Sequence, residues 1–261
     1  MNAFAPKCPS TLQSPLVARE TRRRRAAWTY AFVAGERYAR LAIPTPWSNA
    51  GDDLHSALIE SLAPLRQGDT VMISEKVAVL LTGRAVPIDS CRPGRLAHVL
   101  ARAVRPRPGS RGLSVPEKMQ FVLGEVGYPR LLVAALASAV TRPFGFAGVL
   151  YKVAGSVARD TDGGRPPYED RVCPPLRRDD ATELCAALDD LLGVGVAVVD
   201  LNDYGGSVRG VSRRALPASI LLGALADNPL VQRSTSTPFG IVWPDTLSVP
   251  AASSASTPEW A

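Results

Sequence analysis

Residues 194–207 read VGVAVVDLNDYGGS. Val194–Val199 is an apolar run of strand length, bounded by Gly193 on one side and polar residues on the other. It stops on Asp200, Asn202 and Asp203 and then turns on Gly205 and Gly206. A strand that only fills a core has no use for acids at its end; a site that binds a cation does. Upstream, Asp179–Asp180 start a helical pattern through Leu192, with Gly193 as its stop. Helix followed by buried strand sets the class.

The same alternation continues outward. Asp52–Asp53 precede a stripe of Leu54, Leu58, Leu62 and Leu65, a capped amphipathic helix. PGRLAHVLARAV (93–104) and LPASILLGALA (216–226) read as helices. PEKMQFVLGEV (116–126) does too, with Ser114 as a cap and Pro116 in its first turn. PRLLVAALASAV (129–140) is apolar on every side and is expected to be buried. VMISEKVAVLL (71–81) reads as a strand pair interrupted by Glu75–Lys76, and FGFAGVLYKVAG (144–155) as a strand leading into the polar loop 156–171. FGIVW (239–243) gives a last short strand. The expected class is α/β or α+β with mixed strand directions. Residues 1–43 show no clean period and read as a basic extension, 44–245 as the catalytic domain and 246–261 as a flexible tail.

Composition removes several function classes. Of 261 residues, 46% are hydrophobic, as in a globular protein. The longest apolar stretch, Leu131–Ala137, is far short of the roughly 20 residues a membrane span needs. The first residues lack the order of charge, apolar run and small-residue cleavage site of a secretory leader, so the expectation is a cytoplasmic protein without a membrane partner. Cys8, Cys91, Cys173 and Cys185 form no CxxC pair, which speaks against zinc and for separate thiols. The only histidines, His55 and His98, lie in different segments away from any nucleophile motif. Among 30 Lys and Arg residues only Lys7, Lys76, Lys118 and Lys152 are lysine. Arg22–Arg25 supply much of the net charge of +6. With no aromatic interleaving or helix-turn-helix pattern, they read as a solvated segment rather than a nucleic-acid contact.

Three polar clusters interrupt this apolar plan: Ser74-Glu75-Lys76, then Lys152 with Arg159–Arg165, then Asp200–Gly206. Each alone reads equally as a sheet edge or a turn. Together they suit a metal–nucleotide site. Asp160, Asp162, Asn202 and Asp203 offer hard oxygen ligands for Mg²⁺ or Mn²⁺. Gly163, Gly164, Gly205 and Gly206 let backbone N–H groups approach phosphates, and Lys76, Lys152, Arg159 and Arg165 neutralise their charge. Neither GxxxxGK[ST] nor GxGxxG occurs.

These stretches resemble the coenzyme F-420-0:L-glutamate ligase family, the γ-glutamyl ligases. GDTVMISEKVAVLLTGR (68–84) is similar to the family's N-terminal Gly-Asp turn, strand and polar-Lys pair. GVAVVDLNDYGG (195–206) is similar to its strand ending in Ser-Asp-Thr-Phe-Gly, and YKVAGSVARDTDGG (151–164) to its Ala-Gly-Val-Asp loop. Asn202 and Tyr204 stand where the family has Ser and Thr, and Gly206-Ser207-Val208-Arg209 replaces its Arg-Pro-Trp-Arg run. The resemblance implies a homodimeric ligase that uses GTP (or ATP) to join a small carboxylate to glutamate or a similar amino acid through an acyl phosphate. It places Asp203, with Asp160 or Asp162, on the metal. Lys76, Lys152 and Arg159 would stabilise the transferring phosphoryl group, and Glu75, Gly163, Gly164, Arg165, Gly205 and Gly206 would line the nucleotide site. A rival expectation is a protein of the same fold that binds a nucleotide or phosphometabolite without turnover. Asp203→Asn is expected to abolish metal-dependent turnover, measured as phosphate release, with an unchanged circular-dichroism spectrum.

Overall fold

In the computed structural model the described residues are 28–62, 64–105, 112–146, 148–163, 168–202, 205–230 and 236–245. The segment Gly195–Asn202 is a strand, here β7, and it lies beside β3 (Thr70–Ser74) in parallel, Thr70 opposite Gly195 and Ser74 opposite Val199. All five residues of β3 are buried, as a strand covered on both faces requires. Side chains alternate cleanly between the faces. Val71, Ile73, Val196 and Val198 enter one core with Leu54 and Leu58 of α1 (Leu54–Ser61), Ala78 and Val79 of α2 (Glu75–Leu81), and Cys185 and Leu188 of α8 (Arg178–Leu192). Met72, Ala197 and Val199 enter the opposite core with Leu221 and Ala224 of α9 (Ala218–Ala224). Each fully buried aliphatic side chain stabilises by about 1.5–3 kcal/mol.

The rest of the main sheet is antiparallel. β1 (Thr29–Val33), β2 (Glu36–Ile43), β8 (Gly205–Val211) and β9 (Phe239–Pro244) complete the order β1-β2-β9-β3-β7-β8. Residues 29–43, read above as part of an extension, are thus two strands of this sheet. Arg40 hid them: it occupies a core position in β2, buried because its guanidinium bonds the Ala224 carbonyl at 2.7 Å and forks onto Asp227. Helix α9 touches both edge strands, β1 and β8, so the sheet curls around it.

Between β3 and β7 the chain builds a helical layer with its own core. It comprises α3 (Arg95–Ala103), α4 (Pro116–Val126), α5 (Tyr128–Thr141), α6 (Val149–Ala154) and α7 (Ser156–Asp160), meeting around Ala97, Met119, Leu123, Leu131 and Ala158. A small antiparallel sheet, in which β6 (Arg171–Cys173) pairs with β4 (Val86–Pro87) and β5 (Asp162–Gly163), ties the end of this layer to the main body.

Several expectations are corrected. Val71–Leu81 is not a strand pair: β3 ends at Ser74 and α2 starts at Glu75. FGFAGVLYKVAG holds helix α6, flanked by Gly148 and Gly155 with φ of 76° and 96°. The loop 156–171 begins as α7. Val115, not Ser114, precedes α4 as its cap residue. Helix α5 buries only Leu131 and Ala134 and leaves its other large apolar side chains exposed. Among the described residues no single helix is long and apolar enough to cross a membrane; α4 and α5 together pass that test but bend by 118° between them.

The close seat of α8 on the β7–β8 hairpin rests on Gly210, where a Cβ would lie 2.5 Å from the carbonyl carbon of Ala181. That neighbour is backbone and cannot rotate away. Gly210→Ala is expected to destabilise the fold by about 1–3 kcal/mol, read from urea unfolding. A midpoint equal to wild type would refute the close contact.

Candidate functional site

Parallel strands β3 and β7 end on the same side, and Glu75 and Asp200 sit at those ends. Glu75 is the first residue of α2, a placement the helix dipole favours. Asp160 closes α7, and β5 pairs with Cys173 of β6 directly afterwards. All three carboxylates meet one side chain, the guanidinium of Arg209 on β8. Its Nε lies 3.0 Å from Glu75 Oε1, and its Nη2 lies 2.9 Å from Asp160 Oδ2 and 3.3 Å from Asp200 Oδ2. The Nε contact is an ion pair without hydrogen-bond alignment. Glu75 Oε1 also accepts the backbone N–H of Leu176 at 2.8 Å. Arg159 forks onto Asp160 at 2.7 and 3.1 Å and leaves most of its side chain in solvent.

A break in the ladder aims Arg209. Val198 pairs with Gly210 but Val199 pairs with Val208, so Arg209 is the extra residue of a bulge. Bulges re-aim a side chain in this way.

Among the described ion pairs three carboxylates face two guanidiniums, an excess of one negative charge. Glu75 absorbs the excess. Burial dominates and pushes its pKa from 4.5 to about 7; Asp200 adds to the rise, while Arg209 and the Leu176 N–H oppose it. Burial also works to raise Asp160, but hydrogen bonds from Arg159 and Arg209 outweigh it and hold that carboxyl below its usual value. The Asp200 and Asp160 charges keep Arg209 firmly protonated against its burial, together with Glu75 when that residue is ionised.

Each of the three polar clusters therefore sends one acid to a common point: Glu75, Asp160 and Asp200. Arg209 and Asp200, which meet there, were not among the expected metal, nucleotide-binding or phosphoryl-stabilising residues. Lys76 follows Glu75 on α2 and is half-buried, whereas Lys152 stands exposed on α6, outside the cluster. Gly164, Arg165 and Asp203 lie outside the described residues, as do the side chains of Asp162 and Asn202. Gly163 is held in β5, and Gly205 and Gly206 open β8 opposite Asn202 and Leu201.

The described carboxylates do not fit a divalent ion. No group of three or more His, Cys, Asp or Glu among the described residues is arranged to hold one, because the space the acids share contains the Arg209 guanidinium. Anions are better served, since Arg159 presents an exposed guanidinium at the rim. A cavity of about 480 Å³ is lined by Val79, Arg84, Glu125, Leu176, Arg177 and Asp180; the clustered charges themselves do not line it, and Leu176, whose N–H Glu75 accepts, is the link between the two.

These features define a mixed α/β protein with a charged site at the ends of its parallel strands. No protein-family model matches the chain, and no curated protein sequence matches it.

Glu75 couples the site to stability. Its pKa is higher folded than unfolded, so its contribution is full below pH 4.5 and is lost as pH rises through about 7. Glu75→Gln keeps the acceptor for the Leu176 N–H but cannot titrate. Over that window wild type is expected to lose on the order of 3 kcal/mol relative to Glu75→Gln, measured by denaturant unfolding at a series of pH values. Parallel profiles for the two proteins would refute the buried, titrating carboxyl.

Proposed function

We propose that the protein is a divergent relative of the γ-glutamyl ligases, with their fold and a cytoplasmic setting, that spends a nucleoside triphosphate to join a small carboxylate to the amine of glutamate or a similar amino acid. The observation that carries the reading is the meeting of Glu75, Asp160 and Asp200, one from each polar cluster, with Arg159 and Arg209. Acids and guanidiniums gathered at strand ends beside a cavity are what handling of phosphate and carboxylate groups requires.

A carboxylate and an amine do not condense unaided in water. In the proposed reaction a carboxylate oxygen attacks the γ-phosphorus, the bond to the β-phosphate oxygen breaks, and a nucleoside diphosphate leaves. The amine then attacks the acyl carbon, the carbon–oxygen bond to phosphate breaks, and the amine gives up a proton. Such transfer is governed by positioning and charge neutralisation. Arg159 is placed to neutralise phosphate from the rim, while Arg209 holds the acids in register behind it. The cavity beside Leu176 gives the carboxylate substrate room. The Mg²⁺ or Mn²⁺ of the resemblance finds no cluster of ligands among the described carboxylates.

A second reading rests on Arg209 itself. A guanidinium that already satisfies three acids suits a protein that binds a nucleotide or phosphometabolite and stops there. The two readings separate when phosphate release and amide formation are measured with GTP or ATP, Mn²⁺, a panel of amino acids and small carboxylates. The ligase reading expects amino-acid-dependent release, reduced about 10²–10³-fold in Arg159→Gln, whose exposed side chain the fold does not need. Saturable nucleotide binding without release would establish the binder instead.

A further inference from the structure

We infer that the cavity of about 480 Å³ lined by Leu176 is a binding site for a free α-amino acid with an apolar side chain. Its size is that of a pocket enclosing one small organic ligand. It lies at the seam between the main body and the helical layer: Val79 comes from α2, Glu125 from α4, Val157 from α7 and Asp180 from α8. Its wall divides by chemistry. Val79 and Leu176 are buried, and with the half-buried Val157 and Pro174 they give it an apolar inner side. Arg84, Arg177, Glu125 and Asp180 supply two charges of each sign.

Those charges select the ligand. Arg84 and Asp180 pair with each other. Arg177 and Glu125 are exposed and have no ion pair or hydrogen bond among the described residues. One wall charge of each sign is therefore open. A ligand with a single charge would answer one of them and bring a like charge to the other, whereas a zwitterion answers both. In a free amino acid the carboxylate and ammonium share one end and the side chain leaves from the other. That layout matches a wall with Arg177 and Glu125 at its exposed side and Val79 and Leu176 at its buried side. The side chain must be apolar: a second carboxylate turned against Val79 and Leu176 would lose its water without a partner, since Arg84 is already held by Asp180. The cavity thus disfavours the glutamate of the resemblance. As a substrate assignment this rests on the ligase reading, whose carboxylate substrate it names; as a binding site it stands without turnover.

The full chain is titrated with L-leucine by calorimetry, without nucleotide. Saturable binding at millimolar concentration or below is expected, with L-glutamate at least about tenfold weaker. Arg177→Gln and Glu125→Gln should each weaken leucine about 10–100-fold, the loss of one charge-assisted hydrogen bond. Both side chains are exposed, so the melting midpoints should stay at the wild-type value. Isocaproate, which is leucine without its amine, gives a readout that a structural role would not move: Arg177→Gln should weaken it and Glu125→Gln should not. Absence of saturable leucine binding overturns the inference, as does wild-type leucine affinity in both variants. Glutamate bound more tightly than leucine overturns it too, and leucyl-leucine bound more tightly overturns it in favour of a peptide. Adding GTP or ATP with Mn²⁺ separates the site from the ligase reading. Leucine binding without amide formation upholds the site and sinks the ligase; amide formation from carboxylates that lack an amine, with no leucine binding, does the reverse.

Discussion

One guanidinium holds the end of the sheet together. Arg209 is the single positive group on which carboxylates from α2, α7 and β7 all close, and those elements are drawn from about half the length of the chain. Remove it, and the buried Glu75 and the largely buried Asp160 face each other uncompensated, the arrangement in which an unpaired buried charge costs about 3–5 kcal/mol. The neighbouring structure follows from this constraint. The small sheet β4-β6-β5 fixes the chain that follows Asp160 and leads to Leu176, whose N–H meets Glu75.

Why arginine serves there is a matter of shape as well as sign. Its planar fork reaches Glu75 with one nitrogen and both aspartates with another, which the point charge of a lysine could not do. It is also a permanent cation, so any mismatch with the acids must be settled by the acids. Glu75, the most enclosed of them, is the one that settles it, taking a proton near neutrality. The site thus combines a fixed positive centre with one adjustable negative group, while Asp160 stays ionised between two arginines.

The legible parts of the fold were those where a single period governs. Val71, Met72 and Ile73 alternate between two cores, α1 follows its leucine stripe under the Asp53 cap, and α8 stops at Gly193 with φ of 71°. Readings failed where tertiary contacts override local pattern. No breaker separates β3 from α2, so Glu75 and Lys76 looked like an interruption in a strand. Gly145, Gly148 and Gly155 looked like a strand's alternation but have positive φ and delimit short helices. Arg40 made a buried strand look polar, because its partner Asp227 is distant in sequence. Of the site, the three clusters were visible, but its centre was not. One arginine in GGSVRGV carries no signal in a chain this rich in arginine, and only the pairing of β7 with β8 reveals it.

The mispaired ladder at Val198 and Val199 gives the site an unusual genetic sensitivity. Because successive strand residues point to opposite sides, losing one residue between Gly206 and Arg209 would let the hairpin zip regularly and swing that guanidinium away from the acids. Codon substitutions can tune such a site gradually; a three-nucleotide deletion would throw it like a lever. Length conservation of this hairpin among descendants of the gene, more than residue identity along it, is therefore the mark that lineages still using the site should carry.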